Sequence, residues 1–423
     1  MKAVITPGMR EARPVRIPGS KSISHRALIA ASLAEGVSEI SHMVINEDTR
    51  ATMACLSKLG AEITDAGADA VRVKGIRSFD AYHGEVLDCS ESGSTLRFLI
   101  PLFSLCGREA VFTGHGKLME RPLTVYEELF QTRHLRFEKE GEFLRLEGLL
   151  SGGSFRIRGD ISSQFITGLL FALPLLEEDS RIEIIPPYES RSYVMLTEAV
   201  LRKAGIEFFD RGERIELPGR QRYSPMVYDV AGDDSQAAFF ACLALIARKP
   251  LTVLGMDHEG MQGDHVIVEL IERFGGKSIP TDHGYRFEPG LLRGCECDLS
   301  DCPDLGPVLF ALAAVCPGES VFTGCGRLRI KESDRIAAMK KELETLGASL
   351  IEEGNTVRIR GVSSVKGNVT LSGHNDHRIV MALSVLAEKA EGQVTIEGCE
   401  AVNKSYPEFF RDFETAGGCV ELI

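Results

Sequence analysis

The sequence predicts an α/β protein of two domains, each built from three copies of one unit about 71 residues long. Three observations carry this. Glycines at Gly75, Gly148, Gly219, Gly290 and Gly361 form a ladder with intervals of 73, 71, 71 and 71 residues. Six apolar stretches recur in a second phase of the same period. The length, 423 residues, is three short of six full periods.

Each unit opens on a helix. Steps of 71 from Ser20 reach Glu91, Ser162, Asp233, Asp304 and Asn375. All carry side-chain oxygens, and all but Glu91 are strong N-cap types. The stretches behind them (ALIAASLA, LRFLIPLFSL, FITGLLFALPLL, AAFFACLALIA, VLFALAAV, RIVMALSVLA) are apolar almost all round, so these six helices belong inside their domains. A strand follows, then an amphipathic helix ending at glycine, such as DRIAAMKKELETLG from Asp334 to Gly347. Two short alternating runs then make a hairpin that closes on the ladder glycine, for example KLGAEITDAGADAVRVKG from Lys58 to Gly75. The expected reason for glycine there is a positive φ. The sixth copy, TAGGCVELI from Thr415, runs off the end, and the N-terminal run Ala3–Thr6 is positioned to supply its last strand. Residues 1–16 and 225–423 then form one discontinuous domain around an inserted domain, 17–224. The crossings fall near Arg13–Ile17 and Ser224–Tyr228.

Composition narrows the function. The chain has 44% hydrophobic and 26% charged residues, with 48 basic against 61 acidic side chains and a net charge of −13. This excludes a nucleic-acid or anionic-membrane binder, both of which need a basic surface. The longest apolar run, Ala237 to Ala247, is well short of the ~18 residues of a membrane span. No secretory signal is visible at the N-terminus, and eleven scattered cysteines, an odd count, read as reduced thiols, so the expected location is cytoplasmic. Cys295, Cys297 and Cys302 have a C-x-C-x4-C spacing without a paired second half or nearby histidine, so no metal site is expected.

Function should lie where the copies differ. Six buried helices present N-termini, which attract anions. Only some of these starts also carry cations. The first reads Gly19-Ser20-Lys21-Ser22-Ile23-Ser24-His25-Arg26, and Arg97 lies 71 beyond Arg26. The third, Asp160-Ile161-Ser162-Ser163-Gln164, is rich in hydroxyl and amide donors, while the fourth, Asp233-Asp234-Ser235-Gln236, has no cation and reads as structure alone. The sixth is His374-Asn375-Asp376-His377-Arg378. Further cations open the amphipathic helices: Arg121 before a Pro122 suited to the first helical position, Lys331 and Arg335 around a capping Ser333, and Lys404. An acidic protein with cations gathered at these points has a local site for small phosphates or carboxylates.

Pro18-Gly19-Ser20-Lys21-Ser22-Ile23-Ser24-His25-Arg26, Lys331-Glu332-Ser333-Asp334-Arg335 and Asn375-Asp376-His377-Arg378 together resemble the 5-enolpyruvylshikimate-3-phosphate (EPSP) synthase family over essentially the whole chain. The resemblance implies two domains of three βαβαββ repeats each (an inverse α/β barrel), with helix N-termini facing an interdomain cleft. It implies transfer of the enolpyruvyl group of phosphoenolpyruvate to the 5-hydroxyl of shikimate 3-phosphate, with release of phosphate. That reaction belongs to the shikimate pathway of aromatic amino-acid biosynthesis, and the family is the glyphosate target. No cofactor or metal is implied, and the partners are small phosphorylated substrates bound by a monomer. Lys21, Ser22, Arg26, Ser162, Ser163, Gln164, Ser190, Asp304 and Lys331 would hold shikimate 3-phosphate. Lys21, Gly93, Arg121, Gln164, Arg335, Arg378 and Lys404 would hold phosphoenolpyruvate. Asp304 would take the hydroxyl proton and Glu332 would protonate the methylene carbon. The repeat alone does not separate Asp304 from Asp233. Two departures stand out: Glu91 where many members have Asn, and Phe98 where many have Pro. The nearest alternative is the sister transferase acting on UDP-N-acetylglucosamine. It keeps a reactive cysteine in the loop occupied here by Gly114-His115-Gly116-Lys117-Leu118-Met119, and it lacks the Ser-Lys-Ser run. A non-catalytic repeat protein that binds phosphometabolites is the alternative from another class.

Overall fold

The computed structural model describes residues 1–423. The chain divides into two compact units, residues 1–18 with 231–423 and residues 19–230. Each repeat contributes two helices. In chain order they are α1 (Lys21–Leu33) and α2 (Glu47–Lys58), α3 (Gly93–Phe103) and α4 (Thr124–Thr132), α5 (Ser163–Ala172) and α6 (Arg191–Lys203). The other unit holds α7 (Asp234–Ile246) and α8 (Ile267–Arg273), α9 (Gly306–Ala313) and α10 (Arg335–Thr345), α11 (His377–Ala387) and α12 (Phe409–Thr415). The odd-numbered helices are the apolar ones. Every residue of α7, α9 and α11 is buried, and these three pack on one another. In the middle unit α3 packs on α5 and α1 on α6. Each fully buried Leu, Ile or Phe contributes roughly 1.5–3 kcal/mol over leaving it exposed, so these clusters supply the main driving force of each unit.

Six four-stranded sheets repeat one topology. In the third repeat Gly153–Arg158 pairs in parallel with Ser180–Ile185, which pairs antiparallel with Arg214–Leu217, whose far side holds Phe209–Asp210. The parallel pair brackets the buried helix, and the antiparallel hairpin follows the amphipathic one. The sixth sheet is completed by the N-terminal strand Lys2–Ile5. Ala3 sits opposite Ile396 on one side and Leu422 on the other, the place taken elsewhere by the hairpin's last strand.

The two crossing strands remain with the unit the chain is leaving. Val15–Arg16 pairs in parallel with Val253–Leu254, and Val227–Asp229 with Glu39–Ser41. The second crossing therefore lies at Val230–Ala231, and residues 225–230 belong to the middle unit rather than to the discontinuous one. The strand ahead of a buried helix can be as short as two residues, as at Leu87–Asp88, too short for alternation to show in the sequence.

Two local expectations need correction. Among the ladder glycines only Gly148 has a positive φ. The others are required by close backbone approach: a Cβ on Gly361 would lie 1.7 Å from the Cys316 carbonyl oxygen, and one on Gly75 would lie 2.0 Å from that of Ala34. Gly75 and Gly361 thus seal their hairpins onto the ends of the buried helices α1 and α9, whereas Gly290 closes on the Gly275 carbonyl at the end of the amphipathic helix α8. Positive φ is instead found where the amphipathic helices end, at Gly60, Gly205, Gly275, Gly347 and Gly417, with His134 (φ 58°) in the second repeat.

The caps also shift. Ser20, Ser162 and Asp233 are N-cap residues as expected, but Ser92 and Asp376 take the role in place of Glu91 and Asn375. Asp334 rather than Ser333 caps α10, accepting from the N–H groups of Ile336 and Ala337 at 3.1 and 3.0 Å. Helix α4 begins at Thr124, so Pro122 is not its first residue.

Candidate active site

In the middle unit the polar residues gather at the starts of α1, α3 and α5. Lys21, first in α1, extends its Nζ to Asp48 Oδ2 at 2.9 Å, and both side chains are nearly buried. Asp48 is placed by α2, whose start is fixed by a reciprocal capping box between Asn46 and Thr49. Arg26 lies one turn further along α1 and is 2% exposed. Its guanidinium donates to Thr197 Oγ1 (2.8 Å), the Ser22 carbonyl (2.6 Å), the Tyr193 carbonyl (2.9 Å) and Thr167 Oγ1 (3.4 Å), with Phe98 beneath it. Burial lowers its pKa to about 10. Arg26 is a strut joining α1, α5 and α6, and through the Ser22 carbonyl it fixes the first turn of α1.

Gln164 is oriented from both ends. Its Oε1 accepts from Arg97 Nη1 at 2.7 Å and its Nε2 donates to Ser94 Oγ at 3.1 Å. Arg97 is itself anchored to the Pro122 carbonyl at 3.1 Å and stacked on Phe165. The Arg121 guanidinium lies against the Gly93 Cα, where an added Cβ would come within 2.7 Å of Nη1. Gly93 is needed there for the close approach. Ser162 caps α5, Ser163 is its first residue, and Ser190 precedes α6 in a left-handed conformation (φ 52°) with its side chain buried. Glu91, two residues ahead of Gly93, packs its carboxylate over Gly116.

The other unit holds a denser cluster. Asp304 sits in a one-turn 3-10 helix, Pro303–Leu305, ahead of α9, and its carboxylate does not cap that helix. It accepts from Lys331 Nζ (3.2 Å), Arg335 Nη1 (2.9 Å) and Arg378 Nη2 (3.0 Å), and its carbonyl accepts from Arg378 Nη1 (3.1 Å). Asp233 holds the same place in the repeat and accepts from the Ser235 and Gln236 N–H groups as a helix cap. The structure thus separates two aspartates that the period leaves equivalent. Burial works to raise the Asp304 pKa, but Arg378, Lys331 and Arg335 outweigh it and hold the carboxyl well below its ordinary range. Burial lowers Lys331 to about 8, with Asp304 pulling the other way.

Arg335, 1% exposed, ties the cluster together. Its Nη1 reaches Asp304, its Nη2 reaches Glu332 Oε2 at 2.7 Å, and its Nε reaches Asp376 Oδ2 at 2.9 Å. The two carboxylates expected to carry the chemistry therefore share one guanidinium. Asp376 also accepts from Ser333 Oγ (2.9 Å) and from the Arg378 N–H (2.9 Å), which locks the turn bearing Lys331 and Glu332 to the start of α11. Arg378 is steadied by Ser235 Oγ at 2.9 Å. Lys404 Nζ donates to the Asn375 carbonyl at 2.9 Å. Lys331, Arg335 and Arg378 are interleaved with Asp304, Glu332 and Asp376, which holds these three cations in place while leaving their anion-binding capacity to be drawn on by exchange.

The model of the EPSP synthase (3-phosphoshikimate 1-carboxyvinyltransferase) family matches residues 5–413. The chain belongs to the EPSP synthase family. It is 43% identical over 411 residues to the 3-phosphoshikimate 1-carboxyvinyltransferase of Clostridium kluyveri, covering 96% of this chain and 95% of that one. It is 40% identical over 424 residues to that of Clostridium perfringens, covering 99% of both. Among solved structures, EPSP synthase from Acinetobacter baumannii superposes with a TM-score of 0.80 at 25% identity over both full chains. The enolpyruvyl transferase NikO from Streptomyces tendae gives 0.77 at 17% identity, covering 99% of this chain and 98% of that one, a likeness of fold.

Sequence reasoning gave no role in this site to Asp48, Ser235 or Asp376; it counted Arg97 among the cations of an anion site and read Ser333 as a helix cap. Asp376 stood inside a motif that carries the family resemblance, and Arg97 was visible as the repeat partner of Arg26. Neither pattern says which cation or carboxylate a side chain will meet across 40 or more residues of chain.

Proposed function

We infer that the chain is a 3-phosphoshikimate 1-carboxyvinyltransferase. It moves the enolpyruvyl group of phosphoenolpyruvate onto the 5-hydroxyl of shikimate 3-phosphate and releases phosphate. The observation that carries this is the release of Asp304 from the capping role that Asp233 keeps, together with its coupling to Glu332 through Arg335. Membership of the EPSP synthase family supports the substrate pair.

Lys21, Ser22, Ser162, Ser163, Gln164, Ser190 and Lys331 bind shikimate 3-phosphate, with Arg26 setting the turn that carries Lys21 and Ser22. Arg121, lying against Gly93, joins Lys21, Gln164, Arg335, Arg378 and Lys404 in binding phosphoenolpyruvate. Guanidinium forks suit the two-point contacts that carboxylate and phosphate offer. In the addition step the 5-oxygen attacks C2 of phosphoenolpyruvate, Asp304 takes the hydroxyl proton, and Glu332 delivers a proton to C3, which becomes a methyl group. In the elimination step the C2–O bond to phosphate breaks, Glu332 takes back a methyl proton, and the proton held by Asp304 leaves with phosphate. Asp304 with three cations on it is a weak base. Anionic substrates draw Lys331, Arg335 and Arg378 toward themselves, and the Asp304 pKa then rises toward the range that proton transfer needs.

The protein works as a cytoplasmic monomer without nucleic-acid partners, and no helix is long and apolar enough to cross a membrane. Mass spectrometry of a reaction with both substrates tests the assignment. Shikimate 3-phosphate should gain one enolpyruvyl group, and an unchanged acceptor would refute the reading.

A further inference from the structure

Cys295 and Cys297 flank Glu296 at the start of the strand Glu296–Asp298, and alternation along the strand turns both side chains to one face. Their sulfurs are 3.5 Å apart. Residues i and i+2 of a strand have Cα atoms about 6.6 Å apart, at the upper end of what a disulfide spans. The two thiols are unequal: Cys295 is partly exposed and Cys297 is 3% exposed. Arg273 extends its guanidinium to the carbonyl of Glu296, the residue between them, and Arg293 Nε is bound to the Arg273 carbonyl at 3.1 Å. The hydrogen bond from Cys297, with Arg273 and Arg293 nearby, holds the Cys295 thiol below its usual range against the opposing effect of burial. Burial pushes Cys242, Cys302, Cys316 and Cys325 up. Cys302 has a partner of its own, its Sγ donating to the Asp298 carbonyl at 3.5 Å.

We propose that Cys295 and Cys297 form a peroxide-reactive dithiol that closes to a reversible intrachain disulfide. The Cys295 thiolate attacks one oxygen of hydrogen peroxide. The O–O bond breaks, hydroxide leaves and is protonated to water, and Cys295 becomes a sulfenic acid. The Cys297 sulfur then attacks the Cys295 sulfur, the S–O bond breaks, and a second water leaves with the thiol proton. Two thiols are oxidised and one peroxide is reduced to two waters. Closing the sulfurs from 3.5 Å to about 2.05 Å tightens the strand that leads through Cys302 and Pro303 to Asp304. The oxidised protein therefore has lower turnover, restored by dithiothreitol.

The test treats the full-length protein with hydrogen peroxide, alkylates remaining thiols, digests with trypsin without reduction and maps the peptide Gly294–Arg327 by mass spectrometry. The peptide should lose two hydrogens, with the link between Cys295 and Cys297, the other three cysteines alkylated, and full reversal by dithiothreitol. The link should persist in Cys302→Ser and vanish in Cys295→Ser, a substitution at a partly exposed position that spares the fold. Cys297→Ser should leave a Cys295 sulfenic acid that dimedone traps. Five alkylated cysteines in the peroxide-treated wild type, or a link that includes Cys302 or survives Cys295→Ser, would overturn the proposal.

Discussion

Replacing Asp304 with Asn keeps the shape of the side chain and removes the charge facing Lys331, Arg335 and Arg378. Each of these contacts, at 2.9–3.2 Å, represents about 5 kcal/mol of gross attraction at an effective dielectric near 20. Most of it is offset by the desolvation of a carboxylate whose side chain is 18% exposed. If about a tenth of the summed attraction is released for binding an anion instead, ~1.4 kcal/mol, affinity for phosphoenolpyruvate rises roughly tenfold. Turnover moves the other way, falling about 10²–10⁴-fold with the loss of the base. Asp233→Ala is the control at the same repeat position. It loses a helix cap, ~1 kcal/mol of stability. Because the Ser235 hydroxyl bound to Asp233 also steadies Arg378, turnover falls by one hydrogen bond's worth, about fivefold. Steady-state kinetics with calorimetric titration of phosphoenolpyruvate reads both arms. Weaker binding by Asp304→Asn, or turnover losses equal to those of Asp233→Ala, would refute the reasoning.

Further outcomes follow from the same geometry. Lys331, held at about 8, loses its proton as the pH rises from 7 to 9, so KM for the anionic substrates should climb over that window. Asp304→Asn should move the midpoint down, because Asp304 is what supports the charged form. Gly93→Ala sets a Cβ 2.7 Å from Arg121 Nη1 and should lower kcat/KM for phosphoenolpyruvate roughly ten- to hundredfold with thermal stability unchanged. His134→Gly relieves a left-handed residue at a helix end where the other five repeats use glycine, and should raise stability by about 1 kcal/mol in a denaturant titration. Gly361→Ala should destabilise by on the order of 3 kcal/mol in the same assay, since its Cβ would collide with the Cys316 carbonyl.

The repeat was legible because each copy must bury one helix and seal one hairpin, and both demands leave a mark every 71 residues. The completion of the last sheet by Lys2–Ile5 was readable from a missing strand and an unassigned apolar run. The crossing at Val230 was not, because a three-residue strand such as Val227–Asp229 carries no periodic signal and is defined only by its partner. Within the site, the cations at helix starts could be picked out by position. What they touch could not, because Arg335 meets Asp376 across 41 residues and Arg26 meets Thr197 across 171. Charge type is a local property of sequence; pairing is a property of the packed fold.

The most direct measurement is phosphate release by the purified protein mixed with phosphoenolpyruvate and, separately, shikimate 3-phosphate or UDP-N-acetylglucosamine. A 3-phosphoshikimate 1-carboxyvinyltransferase releases phosphate with shikimate 3-phosphate alone, and that is the expected result. Release with UDP-N-acetylglucosamine, or with neither acceptor, would contradict it.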